Sequence, residues 1–184
     1  MSSTVASKFF FLFLIGIIIC CNIIHLLMTE QISTFFTIDM IYLWLNIGII
    51  PFWFVLIFFP SSKICGFFVS SIFPVFLLSA IYLYLIYYFI ISGYNFLDNF
   101  NLYLGIDSLR ELFNETSFLI IFWTHFLAIN FFCGSWIVND SRKFAMSKIL
   151  IFFPLFITYF TGPLGIFVYW LIRIFYAKRI TLYN

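Results

Sequence analysis

Long apolar runs separated by short polar segments dominate this chain. The runs lie at about 9–28, 38–59, 66–92, 117–138 and 149–176. Each of them provides at least the roughly 20 residues that a helix needs to cross the hydrocarbon core of a bilayer. The pattern predicts an all-α, polytopic integral membrane helix bundle with about five transmembrane helices.

The polar segments complete the predicted organisation. Residues 1–8 form a polar N-terminus, and residues 177–184 form a basic C-terminal tail. The run over 9–28 exceeds the apolar core of 7–15 residues that is typical of a cleaved signal peptide, so we expect a retained helix. Within the polar stretch 93–116, apolar residues recur at helical spacing, which predicts a short amphipathic helix on the membrane surface.

The last apolar run allows two interpretations. Its 28 residues give about 42 Å of helix, against a hydrocarbon core of about 30 Å. One interpretation is a single tilted span that is kinked at Pro163, and the other is a re-entrant hairpin that turns at 161–165. We expect the single span, because non-helical backbone at membrane depth needs a cavity lined by protein.

The basic residues bear on the same choice. With a single last span, the nine Lys and Arg residues divide five against four between the two sides of the membrane. With a hairpin they divide eight against one, and the positive-inside rule favours that distribution.

Composition excludes several classes of protein. The chain is 65% apolar and only 9% charged, whereas soluble domains carry about 25% charged residues. A net charge of +2 provides no basic patch for nucleic acid. Metal and redox sites are not expected, because the spacing of the four cysteines is not that of a zinc or redox motif. The cysteines are Cys20, Cys21, Cys65 and Cys133. The sequence also contains no cofactor-binding motif, so no cofactor is predicted.

A few polar residues interrupt the apolar runs, and in lipid such residues mark either helix contacts or functional sites. His125 is the strongest functional candidate, because an imidazole near the middle of a span is titratable. Gly162 and Gly165 permit close approach either of a helix or of a ligand. Arg173 lies near a span end and is expected to reach the headgroups. The others are Asn22, His25, Asn46, Thr124 and Asn130.

The second half of the chain resembles a known family. The pattern contains Trp123-Thr-His125, then Asn130, then Trp136-Ile-Val-Asn-Asp140, and later Pro154, Thr158 and Gly162-Pro163-Leu-Gly165-Ile-Phe-Val-Tyr169. Together with Leu43-Trp-Leu-Asn46 and Pro51-Phe-Trp53, it resembles the abscisic-acid-deficient-4-like family of small membrane proteins, over about 38–173. These are related to the plant plastid protein that is required for neoxanthin formation.

The resemblance implies a four-helix membrane domain over 38–176 that is tied to carotenoid or other isoprenoid lipids. It also implies a bacterial cytoplasmic membrane or a plastid thylakoid membrane as the location. Asn130 departs from the family, which has an aspartate at this position, and an amide cannot act as a carboxylate base. It can still donate a hydrogen bond to a ligand oxygen. The expected ligand-binding residues are Trp123, His125, Asn130, Gly162, Pro163, Gly165 and Tyr169, with His125 also as the candidate catalytic group.

Three functions remain open at this point. The first is an enzyme, or an enzyme component, that binds or helps to convert a carotenoid-like lipid. The second is a non-catalytic scaffold that binds the helices of partner membrane proteins through its small residues. The third is a transporter, for which the chain offers only the helix breaks near Pro51 and Pro163. The sequence does not determine whether the protein is an enzyme.

Overall fold

The structure is a computed structural model, and it describes residues 36–70 and 73–177. The chain divides into two units, Met1–Trp44 and Leu45–Asn184. Of the first unit, the structure describes residues 36–44, where a helix begins that continues into the second unit.

Some sequence predictions fall outside the described residues. They are the polar N-terminus over 1–8, the first transmembrane helix over 9–28 with Asn22 and His25, and the tail from residue 178 onward. These remain predictions.

The described chain is helical, and no β-strand occurs in either of its two stretches. One 3-10 helix, Phe96–Tyr103, accompanies the α-helices. The α-helices are α1 (Ile38–Phe58), α2 (Lys63–Ser70), α3 (Phe73–Ile91), α4 (Ile106–Asn114), α5 (Thr116–Lys143), α6 (Lys148–Thr161) and α7 (Pro163–Ala177).

Helix α5 is the centre of the second unit. It packs against α2, α3, α4, α6 and α7. Leu127, Phe131, Ile137 and Val138 on its inner faces are at most 5% exposed. The fold is therefore organised around the helix that carries most of the motif residues.

Three of the described helices, α1, α3 and α5, are long and apolar enough to cross a membrane. The all-helical fold and its membrane-type helices are thus confirmed. The predicted spans over 38–59 and 117–138 correspond to α1 and to the apolar part of α5. The span predicted over 66–92 contains α3, which has the length to cross, and part of α2.

The prediction of one kinked helix over 149–176 is wrong. The structure has two helices there, α6 and α7, which are separated by Gly162. Gly162 has φ +54° and ends α6, a backbone conformation that glycine adopts without strain. Pro163 then begins α7, a position that suits proline because its missing N–H has no partner in the first turn of a helix.

Helices α6 and α7 fold back on each other as a hairpin. In one continuous helix, two residues seven positions apart lie about 10 Å apart along the axis. Here a Cβ on Gly165 would lie 2.6 Å from the Cα of Thr158. Because Gly165 has no side chain, the backbones of α6 and α7 can lie in direct contact. The structure thus has a tight turn between two helices where the sequence predicted a kink within one helix.

The hairpin lies along half of α5. Near its tip, the Asn130 side-chain amide donates a long hydrogen bond of 3.5 Å to the carbonyl of Tyr159. Near its base, Asp140 of α5 binds Arg173 of α7. Ten residues of α5, about 15 Å of helix, separate these two contacts. The tip thus stands beside the middle of α5 and the base beside its C-terminal end.

The connection between α3 and α5 contains the predicted amphipathic helix. Helix α4 spans Ile106–Asn114 and buries Leu112, so the helix itself is confirmed. The 3-10 helix precedes it, and Asn95 caps that helix by accepting the Leu97 N–H. Five large side chains of this connection are each 66–80% exposed, as expected of a segment on a lipid surface. They are Leu97, Phe100, Tyr103, Leu104 and Ile106.

Candidate functional site

His125 lies on the outer face of α5, on the side of α3. Its side chain is exposed, and its ring centroid is 6.2 Å from that of Tyr82 on α3. Within the described part of the chain, His125 forms no hydrogen bond. The imidazole therefore faces the surroundings of the bundle rather than its interior.

Aromatic rings continue from His125 toward the N-terminal end of α5. Phe118 and Phe122 are stacked with centroids 6.2 Å apart, and Phe113 of α4 meets Phe122 edge-on at 4.9 Å. Phe118 precedes His125 by two helical turns, about 10 Å. Phe118 itself is only 8% exposed and backs the Phe122 ring from inside. We call Phe113, Phe122, His125 and Tyr82 the outer aromatic strip.

Another polar motif residue of α5, Asn130, lies on a different side. It is 3% exposed, and its side chain lies directly against Gly162 at the hairpin tip. His125 and Asn130 are five positions apart, so they point about 140° apart around the helix. The structure therefore brings Asn130 to Gly162 but keeps His125 away from it.

An ion pair lies at the base of the hairpin. One carboxylate oxygen of Asp140, Oδ2, accepts hydrogen bonds from the Tyr169 hydroxyl at 2.7 Å and from Arg173 Nε at 2.6 Å. Both charged residues are only 2% exposed. The Arg173 guanidinium lies 5.0 Å from the centroid of the Phe144 ring and 5.2 Å from that of Trp170. The expectation that Arg173 reaches the headgroups is therefore wrong, because Asp140 holds it inside.

Two tryptophans of the motif join α1 to α5. Trp123 donates its indole N–H to the Asn46 side-chain oxygen at 3.2 Å. Trp53 packs against Gly134, where a Cβ would lie 2.6 Å from the indole ring. In both cases a residue singled out from the sequence serves a contact between helices.

The predicted ligand-binding residues thus differ in exposure, and Trp123 is half-buried beside Asn46. His125 and Pro163 are exposed, whereas Asn130, Gly162, Gly165 and Tyr169 are buried in contacts among α5, α6 and α7. The sequence analysis did not single out Tyr82 as a neighbour of His125 or Asp140 as the partner of Arg173. Asp140 was visible as part of the motif, but its pairing depends on the hairpin.

All of these contacting residues except Phe144's neighbours Trp170 and Arg173 lie inside a segment that a family model covers. The model described as ABA DEFICIENT 4-like matches residues 40–169, which is 130 of the 184 residues. The chain belongs to this family. No curated protein and no solved structure matches the chain significantly.

Membership in the ABA DEFICIENT 4-like family agrees with apolar helices that fit a membrane protein. The resemblance seen in the sequence is therefore confirmed. Within the motif, Asn130, Asp140 and Tyr169 form contacts between α5 and the hairpin of α6 and α7. These three residues therefore have a structural role.

Reactive groups other than His125 are few in the described chain. Burial raises the pKa of the Cys65 thiol, although the nearby Arg142 guanidinium partly offsets this effect. The thiol is therefore a poor nucleophile, since the thiolate is the reactive form. Across 36–70 and 73–177, no three His, Cys, Asp or Glu side chains are grouped to hold a metal ion.

The hairpin contact gives a first prediction. Gly165→Ala will lower the free energy of unfolding by about 1–3 kcal/mol, because the new methyl group meets the Thr158 backbone. Gly48→Ala is the matched control, since a Cβ there meets nothing within 4 Å, and it will be neutral or stabilising. Thermal unfolding of both variants in one detergent measures the difference. Equal stability of the two variants would show that the hairpin is not closely packed.

Proposed function

We propose that the protein binds an oxygenated isoprenoid lipid of the carotenoid class within the bilayer, along the outer aromatic strip. The observation that carries this proposal is His125, an exposed imidazole on an apolar helix of membrane-spanning length with no hydrogen bond in the described chain. A polar group that faces hydrocarbon without a partner is unfavourable by several kcal/mol. A ligand oxygen would supply that partner.

The chemistry of the strip suits such a ligand. A neutral imidazole has one donor and one acceptor, and a lipid hydroxyl complements either of them. The Phe122 ring, which is 40% exposed, suits a conjugated chain, because aromatic rings pack well in offset or edge-on contacts. The family resemblance to a plant protein required for neoxanthin formation supports the same class of lipid.

The proposed role of His125 is to bind the oxygen of the lipid. If His125 also acts as an acid–base group, it acts on this same oxygen. Binding and catalysis therefore both require contact between the imidazole and the lipid oxygen. The buried members of the predicted set, Asn130, Gly162, Gly165 and Tyr169, position α5 and the hairpin and do not contact the ligand in this proposal.

Binding to purified protein in nanodiscs tests the proposal. The probes are zeaxanthin, which has hydroxyl groups, and β-carotene, which has none, and each is followed by quenching of tryptophan fluorescence. The native protein will bind zeaxanthin about five- to thirtyfold more tightly, since a well-made hydrogen bond in an apolar site contributes on the order of 1–2 kcal/mol. His125→Leu will remove this preference.

The control for this test is Thr161→Val, which removes an exposed hydroxyl that bonds only within its own helix. His125→Leu should fold normally, because no hydrogen bond of the described chain is lost. Equal binding of both carotenoids by the native protein would overturn the proposal, and so would an unchanged preference in His125→Leu.

A scaffold function is the second candidate. It is favoured by the pairing of motif residues with one another, as between Trp123 and Asn46 or Asp140 and Arg173. A scaffold would present the outer aromatic strip to a partner helix, and His125 would bond to that helix instead of a lipid. Extraction in mild detergent that returns only the monomer argues against this candidate.

A further inference from the structure

A shallow apolar groove lies between the C-terminal end of α1 and the N-terminal end of α6. Its volume is about 170 Å³. Phe58 and Phe152 meet edge-on across it at 5.8 Å. Its lining is apolar except for one residue, Lys148; the lining residues are Ile57, Phe58, Lys148, Ile149, Phe152 and Phe153.

The groove lies at the basic end of the second unit. The end where α1 finishes and α6 begins carries Lys63, Arg142, Lys143 and Lys148, while its one described carboxylate, Asp140, is neutralised by Arg173. The opposite end, between α3 and α5, carries four acidic residues and one arginine; they are Asp98, Asp107, Glu111, Glu115 and Arg110.

We infer that this groove binds an anionic phospholipid, with one acyl chain lying over the Phe58 and Phe152 rings and the phosphate at Lys148. The charge of the basic end is complementary to an anionic headgroup. Lys148 is exposed and stands in the first turn of α6, where the helix dipole also favours a negative charge. Because the rest of the groove is apolar, it suits a lipid with an acyl chain rather than free phosphate. This site is separate from the outer aromatic strip and does not depend on the carotenoid proposal.

Native mass spectrometry of the delipidated protein tests the inference. The probes are phosphatidylglycerol and phosphatidylcholine with the same acyl chains, and sn-glycerol 1-phosphate as a headgroup without a chain. The native protein will bind phosphatidylglycerol about fivefold more tightly than phosphatidylcholine, the ratio expected for about one basic residue at a membrane surface. Glycerol phosphate at millimolar concentration will not displace the lipid.

Matched variants separate this site from the overall charge. Lys148→Gln will abolish the preference for phosphatidylglycerol, whereas Lys143→Gln, with the same loss of charge at the same end but outside the groove, will retain it. Ile149→Trp, at a lining position that is 75% exposed, fills the groove and will weaken both lipids. Equal binding of the two lipids by the native protein, equal effects of the two lysine variants, or displacement by glycerol phosphate would each overturn the inference.

Discussion

A cysteine at the C-terminus will be labelled from the same side of the membrane as a cysteine in the connection between α5 and α6. The two reporters are Asn184→Cys and Ser147→Cys, in a protein whose native cysteines are replaced, and Asn101→Cys reports the opposite side. An impermeant maleimide applied to sealed vesicles will modify the first two together, or neither of them.

The physical reason is the hairpin of α6 and α7. Because Arg173 near the end of α7 binds Asp140 near the end of α5, the chain returns to the side from which it started. The two helices have 14 and 15 residues, about 21 and 23 Å, so each is shorter than a hydrocarbon core of about 30 Å. Among the described basic residues, the hairpin places five at one end of the bundle and Arg110 alone at the other, a distribution that the positive-inside rule favours.

Two outcomes decide this prediction. Labelling of Asn184→Cys together with Ser147→Cys supports a hairpin that enters and leaves on one side. Labelling of Asn184→Cys together with Asn101→Cys would mean that the segment crosses the bilayer, and the contacts between α5 and α7 would then have to be abandoned.

Asp140→Ala will lower the free energy of unfolding by about 3–5 kcal/mol, the largest loss expected for a single substitution here. The substitution leaves Arg173 buried without its partner, and an uncompensated buried charge is strongly unfavourable. Tyr169→Phe removes one hydrogen bond to the same carboxylate and will lower the free energy by only about 0.5–1.5 kcal/mol.

Two comparisons test the cause of this loss. Asp107→Ala breaks the ion pair between Asp107 and Arg110, whose side chains are 85% and 72% exposed, respectively. This substitution will change the free energy of unfolding by at most about 1 kcal/mol. The double variant Asp140→Asn, Arg173→Gln removes both charges and will be more stable than Asp140→Ala. If both aspartate variants lose the same stability, Asp140 does not hold a buried charge.

The sequence predicted the helices well because the length of an apolar run depends on the bilayer and not on tertiary contacts. It did not predict the hairpin, because Gly162 and Pro163 suit both a kink and a turn. The decision comes from Asp140 and Arg173, which are 33 residues apart, and from Gly165 against Thr158. No local pattern contains either contact.

The orientation of His125 could not be predicted for a related reason. In a soluble helix, polar and apolar faces show which side is buried. In α5 both the lipid-facing and the protein-facing sides are apolar, so Phe122 and Phe131 are chemically alike although only Phe131 is buried. The sequence identified the imidazole as exceptional but placed it with Gly162, whereas the structure places it beside Tyr82.

The most direct test of the carotenoid proposal is the nitrogen resonance of the His125 ring. The chain has two histidines, so a His25→Gln variant with ¹⁵N-labelled histidine reports His125 alone. In nanodiscs, saturating zeaxanthin will shift the ring nitrogen that bonds to its hydroxyl, and β-carotene will leave the resonance unchanged. A resonance that zeaxanthin does not shift, or that both carotenoids shift equally, would contradict a hydrogen bond between this imidazole and the lipid.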